Sequence, residues 1–449
     1  MTMKLSIFCL HKSLIAVAVA FGSQVAHAAG LVDLYRESMA NDAVYAAARA
    51  QRDAVETLVP QARGQLLPQI GFNYSRNRNN TDNQFQTQQG TSIGKQYDYY
   101  SGNGSLNLTQ ALFRPQAWIA LAQANDQVRQ AEAEFRQVEQ ELILRLAQAY
   151  FDVLLAEDNV SLAQEQKAAI AEQLKQAKRY FEAGVGTVTD INDAQARYDT
   201  IQAQEIAARN TLEVKVRTLE QIVGGTHRHL DRLGPRLALE KPLPEKVEEW
   251  IDFSLANNPQ LKAKEAALEV AEKDVGKSAA GHLPTVDIVA GRSQVINPSY
   301  SLLENTNWTN TVGIQLAVPL FAGGTTQGRV DQSRAVRERT RYELESVKRS
   351  TVLTTRQEFL NVDSGVAQVK ALEQAVNSNE VALYSAQRGQ EAGMRTSFDV
   401  LNAQQLLFTV RRDLAQARYS YVTSRLKLRS ATGLLGEEDV QLVQSWLDK

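Results

Sequence analysis

Tyr180-Phe181-Glu182-Ala183-Gly184, followed by Thr189-Asp190-Ile191-Asn192-Asp193-Ala194-Gln195, recurs 209 positions later. The second version reads Gln390-Glu391-Ala392-Gly393, followed by Phe398-Asp399-Val400-Leu401-Asn402-Ala403-Gln404. Gly224 and Gly433 stand at the same offset, Phe113 and Phe321 at 208, and Leu67-Pro68 returns as Leu283-Pro284 at 216. The offset changes only across Gln69 to Gly104, where the first copy carries about eight extra residues, a length change that an exposed loop tolerates. Self-similarity at one long period means a structural unit written twice.

Working outward from these glycines, Gln116 to Ala183 contains neither Gly nor Pro, and Arg329 to Arg388 contains only Gly365. At 1.5 Å per residue, a helix of roughly 65 residues reaches about 100 Å. Val138, Leu142, Leu146, Ala149 and Val153 recur at three- and four-residue spacing, so these helices are expected to pack lengthwise as in a coiled coil. Return helices are expected at Thr187–Val223 and Ser397–Thr432, which makes Gly184, Gly186 and Gly393 hairpin turns. Upstream, helical stretches (Leu31–Gly64 and Pro244–Ala280) stop at the Leu-Pro pairs, as the restriction before proline dictates.

Two strand-like segments follow each Leu-Pro pair, about 69–77 and 104–113, then about 284–292 and 308–320. Val312, Ile314, Leu316, Val318 and Leu320 alternate with Gly313, Gln315, Ala317 and Pro319; Ile70, Phe72 and Tyr74 alternate with Gly71, Asn73 and Ser75. Such period-two runs of about 9–11 residues suit strands that cross a bilayer. Tyr97, Tyr99, Tyr100 and Trp308 fall near the expected strand ends, where interfacial aromatics belong, and Asn77 to Gln96 reads as a polar surface loop.

Lys4 and Lys12, the apolar Leu14–Phe21 and Ala26-His27-Ala28 form the three-part pattern of a secretory signal, so 1–28 is expected to be cleaved, taking Cys9 with it. The expected division is then 29–226 for the first repeat, 227–244 for a connector, 245–435 for the second repeat and 436–449 for a C-terminal segment. No later apolar run suits a membrane helix, which leaves strands to make any crossing. Forty-nine basic against fifty-one acidic residues give no electrostatic footprint for nucleic acid. His227-Arg228-His229 lacks a nearby third ligand and reads as a solvated turn, not a metal site. No nucleophile, base and orienting group assemble, so no catalytic residue, cofactor or metal is expected.

Four strands cannot close a barrel, and an open edge in lipid strands backbone groups without partners. Two copies would give eight strands with a filled interior; three would give twelve and leave a lumen lined by Gly, Ser, Asn, Thr and Gln. The fold class expected is therefore mainly α with a membrane β-barrel, built by an oligomer. A non-transporting structural or adhesive coiled-coil envelope protein is the alternative; paired alternating strands in both copies weigh against it.

The order of elements, the duplication and the segments around Gly184 to Tyr198 and Gly393 to Gln404 resemble the TolC family of outer-membrane efflux and type I secretion ducts, over essentially the whole mature chain. The resemblance implies a homotrimer in outer-membrane lipid, with one twelve-stranded barrel and a periplasmic cylinder of helices. It implies docking to a periplasmic adaptor protein and an inner-membrane ABC or proton-driven pump that supplies the energy. It also implies a periplasmic gate at the helical hairpins, tied by Thr189 and Asp190 with Arg395, and an acidic ring at Asp399. The sequence departs from the family pattern at Gln390, where a bonding Tyr is usual, and at Asn402, where a second acidic ring is usual. Thr187-x-x-Asp190 and Thr396-x-x-Asp399 also have capping-box spacing, a local role compatible with facing a lumen.

Overall fold

Pro115 occupies the first turn of a helix that then runs without interruption to Glu182, because its missing N–H falls where the helix has no acceptor to offer. The computed structural model describes residues 30–86, 90, 92–227, 229–234, 237–297 and 305–448; the expected signal segment lies outside them. In chain order the first half comprises α1 (Leu31–Asn41), α2 (Ala43–Glu56), α3 (Leu58–Gly64), β1 (Gln69–Gln86), β2 (Ser92–Phe113), α4 (Pro115–Glu182) and α5 (Val188–Val223). A short β3 (Arg232–Leu233) lies in the connector. The second half comprises α6 (Val247–Asn257), α7 (Pro259–Ala279), β4 (Thr285–Ile296), β5 (Thr306–Ala317), α8 (Thr325–Glu391) and α9 (Ser397–Ala431), before α10 (Glu437–Gln444) and β6 (Leu447–Asp448). The 68 residues of α4 and 67 of α8 correspond to about 100 Å each. Gly365 does not break α8; it sits against the Tyr421 ring of α9. No described helix is long and apolar enough to cross a membrane.

The upstream helical stretches are each divided by breaks. Asp42 is extended and caps α2 through the Tyr45 N–H, and Asn258 caps α7 through the Leu261 N–H. Each break creates a splice. Asn41 donates to the Val223 carbonyl at the end of α5, and Asn258 donates to the Ala431 carbonyl at the end of α9, 2.8 and 2.9 Å away. Carbonyls left over at a helix end are thus satisfied by a side chain at the break between two other helices. At the second splice a Cβ on Gly433, which has φ +72°, would lie 2.3 Å from the Asn257 carbonyl oxygen, so only glycine fits.

The four long strands form one antiparallel sheet in the order β1-β2-β4-β5, leaving β1 and β5 as its two edges. β1 and β2 extend well past the expected limits. The run from Asn77 to Gln96, expected as a surface loop, instead continues the ladder to Gln86 and Ser92. Polar cross-strand pairs hold it: Asn79 donates to Ser101, Gln96 to Asn80, and Asn80 to Asp98. Tyr97 and Tyr99 consequently lie within β2, paired with Thr81 and Asn79, not at a strand end. β5 stops at Ala317, short of the expected 320, because Pro319 has no N–H to give the ladder; Leu320 is 93% exposed.

The main core lies midway along the helices. Tyr150 and Phe151 of α4, Val362 of α8 and Tyr421, Val422 and Leu426 of α9 are buried there with Leu34, Trp250, Val440 and Val443. Tyr150 donates to the Asp231 carbonyl, and the Tyr421 hydroxyl donates to Glu240 O and accepts from Glu240 N, binding the connector down. The connector is thus packed onto the body: β3 pairs with β6, and His227 lies 2.8 Å from Glu37 of α1, while His229 is exposed. Arg228 of the expected turn lies outside the described residues.

Candidate functional site

At the ends of α4 and α8 farthest from the sheet, each repeat turns back through a short glycine-containing turn. Gly184 (φ +76°) and Gly393 (φ +72°) take the left-handed conformation that ends a helix. Both return helices open with a complete capping box. Thr187 Oγ1 accepts from the Asp190 N–H while Asp190 accepts from the Thr187 N–H, and Thr396 and Asp399 do the same. The Thr396 N–H and hydroxyl, and after them Arg395, hold the Asp399 carboxyl below its ordinary 3.8.

The two turns differ by a reciprocal exchange. A Cβ on Gly186 would lie 2.9 Å from the Phe181 nitrogen and 3.0 Å from Tyr180 Cβ, so the first turn has no room for a side chain there. The positions equivalent to Tyr180 and Gly186 in the second turn are Gly389 and Arg395. Arg395 runs over the bare Gly389, its Cγ only 2.7 Å from where a Cβ would be. A long cation therefore projects from the second turn because the residue beneath it has no side chain.

Arg395 Nη1 lies 4.0 Å from Asp399 Oδ1, and among the described residues this is its one ion pair. Within the chain it does not meet Thr189 or Asp190, the partners expected for it; Thr189 is exposed and Asp190 is engaged in its own cap. Gln390 donates to Ser397 Oγ at 2.9 Å, inside its own turn. Asn402 accepts at 2.7 Å from Arg197 of α5, which also donates to Gln405 at 3.0 Å and stacks over the Phe398 ring at 5.2 Å. Arg197 thus clasps the first hairpin to the second at a point where the sequence alone singles out only Asn402. No local signal could have paired it, since its partners lie over 200 residues away.

Farther from the tips, Ala163, Ile170, Ala194, Ile201 and Leu401 form a small apolar seam joining α4, α5 and α9. Arg411 of α9 then reaches Glu380 of α8 at 2.7 Å and Glu165 of α4 at 3.8 Å. Lys167 and Arg209 both bond Glu205 and hold its carboxyl down to about 2. The hairpins are therefore joined in series by one guanidinium clasp, one apolar seam and one ion-pair clasp. The Arg197 contacts are exposed, and exposed contacts of this kind are individually weak, whereas Glu205 is buried beneath its two cations.

A sheet with two open edges, carried on helices about 100 Å long, defines a channel-forming protein of the bacterial envelope whose helices extend a strand-built pore. The family model for outer membrane efflux proteins matches residues 34–225 and 250–434. The chain is 33% identical to the outer membrane protein TolC of Vibrio cholerae, covering 96% of this chain and 97% of that one. It is 34% identical to the alkaline protease secretion protein AprF of Pseudomonas aeruginosa, covering 93% and 87%. Its fold matches the solved outer membrane protein VceC of V. cholerae with a TM-score of 0.76 at 19% identity, over 90% of this chain and 96% of that one. The chain belongs to the outer membrane efflux protein family, and its place is the outer membrane, with the helices in the periplasm.

Proposed function

We propose that three copies join β5 of one to β1 of the next, closing a twelve-stranded pore continuous with a periplasmic helical tunnel. The observation that carries this reading is the pair of unpaired sheet edges, which lipid does not tolerate open. In this assembly the repeats 29–226 and 245–435 alternate around the axis, and the chain itself catalyses nothing. The tunnel exports proteins by type I secretion, small toxic compounds, or both, and an inner-membrane pump and a periplasmic adaptor at the helical tips supply energy and choose cargo. The names of AprF and of the proteases secretion protein PrtF of Dickeya chrysanthemi, 30% identical, support the protein-export side.

The gate lies at the two turns. Arg197 ties hairpin to hairpin within a copy, while Arg395, Thr189 and Asp190 face outward from the turns to tie copy to copy. Asp399 faces the lumen, and Gln390 and Asn402, held by Ser397 and Arg197, add no charge to it. Native mass spectrometry of the detergent-extracted protein tests the assembly: it is expected to give three chains that fall to one on heating. A stable monomer that still inserts in lipid overturns the reading.

A further inference from the structure

Residues directly opposite in an antiparallel ladder point to the same face, so the register sorts the sheet into two surfaces. One carries Asn73, Asn107, Ser293 and Thr309; the other carries Phe72, Leu106, Val312 and Ile314, with Val312 83% exposed. The apolar face is the one that meets lipid. From Leu316 to Trp308 it extends over nine residues, about 26 Å along β5 and roughly 20 Å in depth once the strands tilt, which is close to the height of an outer-membrane apolar band.

Three arginines stand on that same face, and two of them, Arg292 and Arg76, lie closest to its apolar rows. Arg292 of β4 pairs between Leu106 and Asn310, and its guanidinium stacks on the Trp308 ring at 4.9 Å. Arg76 of β1 lies one row beyond Tyr74 and stacks on Tyr100 at 5.4 Å. Both are exposed, and among the described residues neither pairs with a carboxylate, whereas the next outward arginine, Arg78, is matched by Asp98. Arg292 lies toward the hairpin end of β4, and Arg76, midway along the longer β1, lies on the hairpin side of the Tyr74 row, away from the ends that enter the helices; both are therefore in the outer leaflet. A cation facing lipid is costly at mid-depth and tolerable only near the interface. A guanidinium fixed over an aromatic ring presents its planar fork for bidentate bonding to phosphate.

We propose that Arg292 with Trp308, and Arg76 with Tyr100, form a belt that binds the phosphate groups of an anionic lipid in the outer leaflet. This rests on outer-membrane placement and on the register, not on the gate or the number of copies. The test incorporates the intact oligomer into phosphatidylcholine nanodiscs doped with diphosphorylated lipid A or with its dephosphorylated form, and counts retained lipid by native mass spectrometry. The wild type is expected to retain the phosphorylated form about tenfold better, the discrimination that one or two charged hydrogen bonds provide. The pair Arg76→Gln and Arg292→Gln removes that preference, while Arg78→Gln leaves it. Equal retention of the two lipids by the wild type overturns the proposal, even if the double variant fails to assemble. Full displacement of lipid A by excess inorganic phosphate overturns the lipid assignment, since a headgroup site anchored by acyl chains resists a free ion.

Discussion

Arg395 and Gly389 divide one task between them: one supplies a cation, the other the absence of a side chain under it. Gly389→Ala places a methyl 2.7 Å from Arg395 Cγ and is expected to expel the guanidinium, reproducing the conductance of Arg395→Ala without removing a charge. A Gly389→Ala channel indistinguishable from wild type contradicts that arrangement. Asp399 yields a pH dependence with a defined sign. Its carboxyl is held below 3.8 by Thr396, so the cap and the pair with Arg395 are complete above that value and are lost as pH falls through the lowered one. Cation preference that depends on Asp399, measured as reversal potential in bilayers, is expected to hold from neutral pH down to 3.8 and to fall below it; a midpoint above 3.8 refutes the assignment. The capping boxes were legible because their spacing is local, three residues apart in both turns. Arg197 was not, because a clasp between α5 and α9 is a fact of packing and leaves no mark on periodicity.

Each repeat is a long unbroken helix beside a spliced one, and the splice is the more demanding element. Gly433→Ala meets both a left-handed backbone and the Asn257 carbonyl, and is expected to cost about 1–3 kcal/mol, read as a lowered thermal midpoint by circular dichroism. Gly436→Ala, with open space around it and an extended backbone, is the control and is expected to change stability by less than about 0.5 kcal/mol. Equal effects at the two positions contradict the splice. Long helices and membrane strands were readable from a Gly- and Pro-free run and a period of two. The extension of β1 and β2 to Gln86 and Ser92 was hidden, because Asn, Gln and Thr serve a solvated ladder as readily as a loop. The breaks at Asp42 and Asn258 are single residues within helical composition, and the β3–β6 pairing is two residues long on each side, below what any pattern reveals.

At the scale of the whole molecule, the proposed function joins an open four-stranded sheet in the outer membrane and a jointed set of hairpins into a gated conduit completed by further copies. Charge at the proposed gate follows from the sequence's own departures. Asn402 sits against Arg197 where an acidic ring is usual in the family, leaving Asp399 as the acidic position of the second turn. The most direct measurement is single-channel current from the extracted oligomer in a planar bilayer, with Arg395→Ala and Arg197→Ala beside the wild type. A small conductance that leans toward cations and rises in both variants is the predicted result. No current in any form, from an oligomer verified as inserted, would contradict the account.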